Sequence, residues 1–278
     1  MNVFVNSRSE NSVVATIKKL ILMSFCCLSV EAAELELGIG GFATSLPKYI
    51  GSNERNNYAL PFPYIYYKSD RLELDRNAFT GFIWRKNNWY LDVSASGSIP
   101  VKSNNTKVRE AMPDINFVGE IGPVLKYYFI GDINSAEQLL VGFHTRKAFS
   151  IDLSSIKTVG WSYGPSIQYS QNIAPFSNGN LSLDASLNID FSDDNYLNFY
   201  YGVSEQYAKL ERETFEMESG YKGSSLSLGF TWDNDKIWLG SFIKYNTLGG
   251  AKQQDSPLVK KDNNWSIGLG LVWIFYHE

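Results

Sequence analysis

The sequence predicts an all-β chain: an antiparallel transmembrane β-barrel of about 12 strands, with 10–14 possible, behind a cleaved export leader. Three observations carry this prediction. Apolar residues alternate with small or polar ones over runs of ten or more residues, longer than the roughly 5–6 residues of an ordinary soluble strand. Short turns rich in Asn, Asp and Gly alternate with long polar loops. Aromatic side chains gather at the ends of the runs, where a strand would leave hydrocarbon for water.

The elements are read in chain order. Lys18 and Lys19 precede the apolar stretch Leu20 to Val30, followed by Glu31-Ala32-Ala33. A basic flank, a short apolar run and small residues at a cleavage position describe a secretory signal peptide. Cleavage between Ala32 and Ala33 divides the chain into a leader, 1–32, and a barrel domain, 33–278. The apolar run is too short to span a bilayer as a helix, which takes about 20 residues. Strand-like runs follow near 33–43, 59–68, 70–86, 88–99, 114–130, 137–150, 157–171, 180–191, 196–204, 223–233, 236–248 and 265–275. Pro61 and Pro63 cannot donate in a ladder and mark a strand start or a bulge. Gly38 to Gly41 lacks the helix of a phosphate loop and reads as relief of crowding in a strand. The stretch Tyr207 to Glu218 is the best helical candidate. In the last run Trp265, Ile267, Leu269, Leu271, Trp273 and Phe275 share one face, while Ser266, Gly268 and Gly270 share the other. That pattern fits a strand with one side in lipid and one in a lumen.

Composition narrows the chemistry. The chain carries 25 basic and 29 acidic residues with no basic block, so nucleic acid is not an expected partner. Both cysteines, Cys26 and Cys27, fall in the leader, leaving the mature chain without disulfide, thiolate ligand or cysteine nucleophile. The two histidines, His144 and His277, are far apart in sequence, and no metal or other cofactor is expected. Asp190, Asp193 and Asp194 could hold calcium, although a solvated turn explains them better. A lipid-modifying barrel enzyme would need His144 paired with a serine on a neighbouring strand, such as Ser162, Ser166 or Ser170, and no serine-hydrolase motif is present. The expectation is therefore a non-enzyme. By alternation His144, Arg146, Asp184, Asp190, Lys244, Glu34 and Glu36 face inward, where they either line a narrow channel or pair with one another.

Several short motifs, in order, resemble one family. They are YIGS (Tyr49 to Ser52), PFPYIYY (Pro61 to Tyr67), MPDINFVGEIGP (Met112 to Pro123), YYGVS (Tyr200 to Ser204), SGYKG (Ser219 to Gly223) and DSPLV (Asp255 to Val259). Together they are similar to the MipA/OmpV family of Gram-negative outer-membrane proteins, over nearly the whole mature chain. The resemblance implies an outer-membrane barrel. Its name-giving member is described as a scaffold joining the lytic transglycosylase MltA to a bifunctional penicillin-binding protein in murein synthesis. The implied partners are outer-membrane lipid, the barrel assembly machinery, a lytic transglycosylase and a penicillin-binding protein. Asp255, Ser256, Pro257, Leu258 and Val259 are a candidate partner-binding loop, although Pro257 and Asp255 also suffice for a fixed turn. Trp273 and Phe275 are the candidate C-terminal assembly signal, from which the chain departs by adding Tyr276-His277-Glu278. A narrow diffusion channel is the alternative reading.

Overall fold

Strands that alternate apolar and small residues must bury one face and can leave the other in lipid, and closure removes their unpaired edges. A computed structural model describes residues 34–68, 72–74, 79–152, 154–176 and 178–277. The leader, with Ala32 and Ala33, lies outside the described residues. Among those described, twelve antiparallel strands form a closed barrel, each pairing with its sequence neighbours and the first with the last. They are β1 (Glu34–Pro47), β2 (Arg55–Lys68), β3 (Leu72–Leu74), β4 (Phe79–Lys86), β5 (Trp89–Ser98) and β6 (Phe117–Ile130). The second half comprises β7 (Glu137–Ile151), β8 (Ile156–Phe176), β9 (Gly179–Ser192), β10 (Gly220–Asp233), β11 (Ile237–Thr247) and β12 (Asn263–His277).

The alternation of β12 is the clearest link from sequence to packing. Leu269 is 53% exposed, whereas Val272 on the opposite face is 1% exposed. Outward apolar residues continue around the wall through Ile39, Ile121, Phe143, Ile167, Leu187, Leu226, Phe230 and Ile243. Trp265 and Trp273 bracket this band on β12, eight residues apart, or about 26 Å along the strand, close to the ~25 Å apolar height of a membrane barrel. Phe117 and Trp161 lie toward the Trp265 end; Trp84, Trp89 and Phe129 lie toward the Trp273 end. Both ends therefore carry the interfacial aromatics such a barrel requires.

Inside, the short-turn end is filled by side chains. Tyr64, Val272 and Ile274 pack with Phe62, Tyr66 and Trp238, and Tyr90, Tyr128 and Leu140 form a second cluster. Gly38 and Gly40 make room here: a Cβ on Gly40 would fall 2.5 Å from the Leu271 carbonyl and 2.7 Å from the Val272 side chain. The crowding read from Gly38 to Gly41 is real at those two positions.

Four sequence expectations change. The run 196–204 is not a strand: Asp194–Tyr201 forms a helix, α1, burying Tyr196, Leu197, Tyr200 and Tyr201. That spacing (i, i+1, i+4, i+5) is helical. Asp193 caps it, its side chain accepting from the Tyr196 N–H at 2.9 Å, so Asp193 and Asp194 serve a helix N-terminus rather than a turn between strands. The expected helix over Tyr207 to Glu218 is absent; only Glu205–Tyr207 makes a 3₁₀ turn, and the rest is pinned open by Arg212. The run 70–86 divides into β3 and β4, which pair with each other at Leu72↔Gly81. Finally, Pro61 and Pro63 sit inside β2 rather than at its start, and Tyr276 and His277 continue β12 opposite Leu37 and Glu36.

Candidate functional site

Two regions concentrate the polar chemistry: a folded cap over the long-loop mouth and a charged cluster in the lumen beneath it. The cap is built from the loops after β1, β5, β9 and β11. Its core joins Tyr49, Val101, Ile115, Leu197, Tyr200, Tyr201 and Met217 to the inward wall residues Val118, Ala148 and Val159. A smaller cluster packs Met112, Val203 and Leu258. Because loops carry unpaired backbone groups, such a cap holds only if those groups find partners. Two buried arginines supply many of them. Arg109 Nη1 donates to the Tyr200 carbonyl at 2.8 Å and its guanidinium lies over the Tyr49 ring. Arg212 donates to the carbonyls of Tyr207, Val108 and Glu110 at 2.6–3.0 Å. The Tyr201 hydroxyl donates to the Ile50 carbonyl and the Tyr49 hydroxyl to the Leu258 carbonyl. Burial raises the Tyr200 phenol to about 12 and raises that of Tyr201 as well, so both stay neutral.

Glu54 ties two of these loops together. Its carboxylate lies 2.7 Å from Lys48 Nζ and accepts from the Lys107 N–H at 2.8 Å. Burial pushes its pKa up, but the Lys48 and Lys107 bonds outweigh that and hold it below the usual value. A depressed carboxylate contributes stability above its unfolded pKa, roughly 4.3, and loses it as pH falls through its folded value. Limited proteolysis of the cap loops should therefore accelerate below about pH 4 in the native chain, and Glu54→Gln should cleave faster at neutral pH. Equal rates for both proteins at pH 7 would show that the tie contributes nothing.

Below the cap, a cavity of about 620 Å³ holds Glu120, His144, Arg146, Asp190, Lys222 and Lys244. These come from β6, β7, β9, β10 and β11, all inward-facing, so the barrel gathers charges that are far apart in sequence. Tyr196 Oη donates to Glu120 at 2.7 Å, Arg146 Nε to Ser94 Oγ at 2.9 Å, and Lys222 Nζ to Ser162 Oγ at 2.9 Å. His144 Nε2 is 3.5 Å from Asp190 Oδ1 and has no hydrogen-bond partner among the described residues.

The inward residues read from alternation are thus found here, with two placements apart from the cluster. Asp184 accepts from Ser170 Oγ at 2.6 Å and lines a separate cavity, and Glu36 accepts from Tyr64 Oη near the short-turn end. The side chain of Glu34 lies outside those described. Of the candidate serines, Ser162 is held by Lys222 and Ser170 by Asp184, while Ser166 accepts from Gln168 at 3.4 Å; none is bonded to His144. In the candidate loop, Leu258 and Ser256 are buried in the cap, with Ser256 Oγ donating to the Tyr201 carbonyl at 2.8 Å. Of its five residues Asp255 is the exposed one, and Pro257 and Val259 are half-buried. Trp273 and Phe275 face outward on β12, their ring centroids 6.0 Å apart. Sequence reasoning missed Arg109, Arg212 and Lys222, single basic residues in or beside loops with no local signal.

An apolar belt outside, packed aromatics at one end and a folded cap at the other define a β-barrel membrane protein with a covered mouth. The chain belongs to the MipA family, described as MltA-interacting protein MipA, which matches residues 39–275. No curated protein matches the sequence. Among solved structures it is similar to a Pseudomonas aeruginosa FadL homologue, at 11% identity and TM-score 0.34, covering 86% of this chain and 67% of that one. It is also similar to the Ralstonia pickettii toluene transporter TbuX, at 9% identity and TM-score 0.28, covering 90% and 72%. At those scores neither carries an inference about this chain.

Proposed function

We propose that this chain is a non-enzymatic outer-membrane barrel that docks a murein-processing enzyme on its periplasmic side and conducts little. The supporting observation is the cap: Leu197, Leu258 and Ile115 are essentially fully buried over the mouth, which leaves no purpose for the long loops as an open vestibule. The family description, an MltA-interacting protein, points to MltA as a partner; the family resemblance makes that partner a lytic transglycosylase and adds a penicillin-binding protein as a second. In this reading residues 1–32 are an export leader, Trp273 and Phe275 are read by the barrel assembly machinery, and the short turns face the periplasm. The exposed turns at Asp132–Ser135 and Asn234–Lys236 then offer the docking surface.

Crosslinking in Gram-negative cells, detergent extraction and mass spectrometry test this. A lytic transglycosylase or penicillin-binding protein should be enriched over a control barrel, and replacing both turns should abolish the enrichment. No enrichment would sink the proposal. In planar bilayers the protein should show little conductance, unchanged in Arg146→Ala or Lys244→Ala; steady conductance altered by either change would favour the diffusion channel.

A further inference from the structure

Glu120, His144, Arg146, Asp190, Lys222 and Lys244 converge in the lumen beneath the cap, where three cations face two carboxylates. Lys48 also reaches this cavity, but Glu54 matches its charge at 2.7 Å. Among the described residues, none of Arg146, Lys222 and Lys244 has a carboxylate oxygen within 4.0 Å. Arg146 and Lys222 donate instead to the neutral hydroxyls of Ser94 and Ser162, and Lys244 makes no hydrogen bond to a described residue. Glu120 accepts from the Tyr196 hydroxyl rather than from a cation. Taking charge out of bulk water is costly unless it is paired. Three cations drawn together without such pairs favour an anion among them.

Local backbone features aim these groups inward. Lys222 is the extra residue of a β-bulge, between the pairs Tyr221↔Phe191 and Gly223↔Asp190. Bulges re-aim side chains, and this one turns Lys222 into the lumen, its Nζ 4.6 Å from the centre of the Tyr196 ring. Gly223 has a φ of +137°, and a Cβ there would fall 2.7 Å from the Thr247 carbonyl, so the bulge requires glycine. The Lys222 carbonyl accepts from Gln253 Nε2, which fastens the bulge to the cap. The SGYKG motif thus encodes the placement of one cation. Ser162, to which Lys222 donates, is paired with Arg146 across the β7–β8 ladder, so two of the cations meet at one position. His144 is 5% exposed and lines the same cavity; its Nε2 has Asp190 at 3.5 Å and makes no hydrogen bond to a described residue. A buried imidazole without a hydrogen-bond partner is a second, independent sign of a ligand.

The strands that supply these groups, β6, β7, β9, β10 and β11, each pair with both neighbours, so the cluster stands on continuous wall. The cavity, about 620 Å³, is in the roughly 300–1,000 Å³ range of small-molecule sites. Arginine and lysine bind phosphate and carboxylate oxygens through charge-assisted hydrogen bonds. Asn246 and Ser266, both buried, add neutral polar groups for the remainder of such a solute. The cap lies above and packed aromatics fill the short-turn end, which suits retention rather than passage. We infer that this cavity binds a small solute carrying an oxyanion group, phosphate or carboxylate, held by Arg146, Lys222 and Lys244 with His144 as a further donor.

The test is equilibrium dialysis of the full mature protein in dodecylmaltoside against labelled inorganic phosphate or labelled acetate, at fixed ionic strength. At least one of these anions should bind saturably, one per barrel, and the tighter of the two distinguishes a phosphate group from a carboxylate. Lys244→Met and Arg146→Gln should each weaken that binding by about tenfold or more, the worth of one hydrogen bond to a charged group. Asp190→Asn, which removes a repelling carboxylate, should tighten it severalfold. Opposite signs for changes within one cavity separate loss of a ligand contact from loss of the fold, and heat-shifted gel migration confirms that each variant is folded. Lys157→Met, which removes an exposed cation on β8, should bind as the parent does. No saturable binding of either anion, or binding unchanged in both Lys244→Met and Arg146→Gln, would overturn the inference; neither result bears on docking of a murein enzyme.

Discussion

Phe230→Arg is expected to destabilise the membrane-inserted barrel by about 2–4 kcal/mol, the cost of a guanidinium on the lipid face near the bilayer midplane. Phe230 pairs with Ser241, which pairs with Leu269, halfway between Trp265 and Trp273 on β12. Its side chain is exposed on the outer face. The neighbouring residue Thr231 points the other way, into a lumenal cavity of about 900 Å³ that Asp184 and Ser170 also line, so Thr231→Arg places the same charge where polar groups and space exist. Urea unfolding from phospholipid vesicles should separate the two variants, with Phe230→Arg shifted to lower urea and Thr231→Arg close to the parent. If the variants unfold together, the assignment of β10 faces is wrong. A soluble sandwich would also fail the comparison, because its outer face accepts arginine freely.

Arg212→Ala is expected to open the cap. Arg212 is 6% exposed and donates to three backbone carbonyls from two loops, so its removal breaks the bonds that join the Val108 and Glu110 oxygens to the loop of Tyr207. A hydrogen bond to a charged group is worth about 1.5–3 kcal/mol. The strands do not depend on this residue, so the barrel should persist with its gel migration unchanged. The cap loops should become sensitive to trypsin within minutes, while bilayer conductance should stay low because side chains still fill the short-turn end. Arg212→Lys should rescue little, since a single ammonium cannot reproduce the planar fork that spans both loops. Protease resistance equal to the parent in Arg212→Ala would mean that apolar packing around Leu197 and Leu258 holds the cap unaided.

Some of this molecule could be read directly from residue order. Alternation with period two placed Trp265 to Phe275 on one face and put His144, Arg146, Asp184, Asp190 and Lys244 on the other, because a strand has only two faces and lipid accepts only one kind of side chain. Turn composition located the short connections at Asn87, Asp132 and Asn234, where local backbone chemistry decides the bend. Reading α1 as a strand was avoidable: Asp193 before Tyr196, Leu197, Tyr200 and Tyr201 is a cap followed by helical spacing, obscured by the density of aromatics.

Other features belong to the tertiary structure alone. Arg109 and Arg212 have no signature in their neighbours, since the partners that tie loops together, the Tyr200, Val108 and Glu110 carbonyls, come from distant parts of the chain. The meeting of Glu120, Asp190, Lys222 and Lys244 depends on barrel closure and stagger, which set heights that no single segment encodes. Residue order therefore determined which faces meet lipid and which are enclosed, because that choice is local and repeats every second residue. Only the closed barrel decided which enclosed groups touch and what covers the mouth, because those depend on strands brought together from distant parts of the chain.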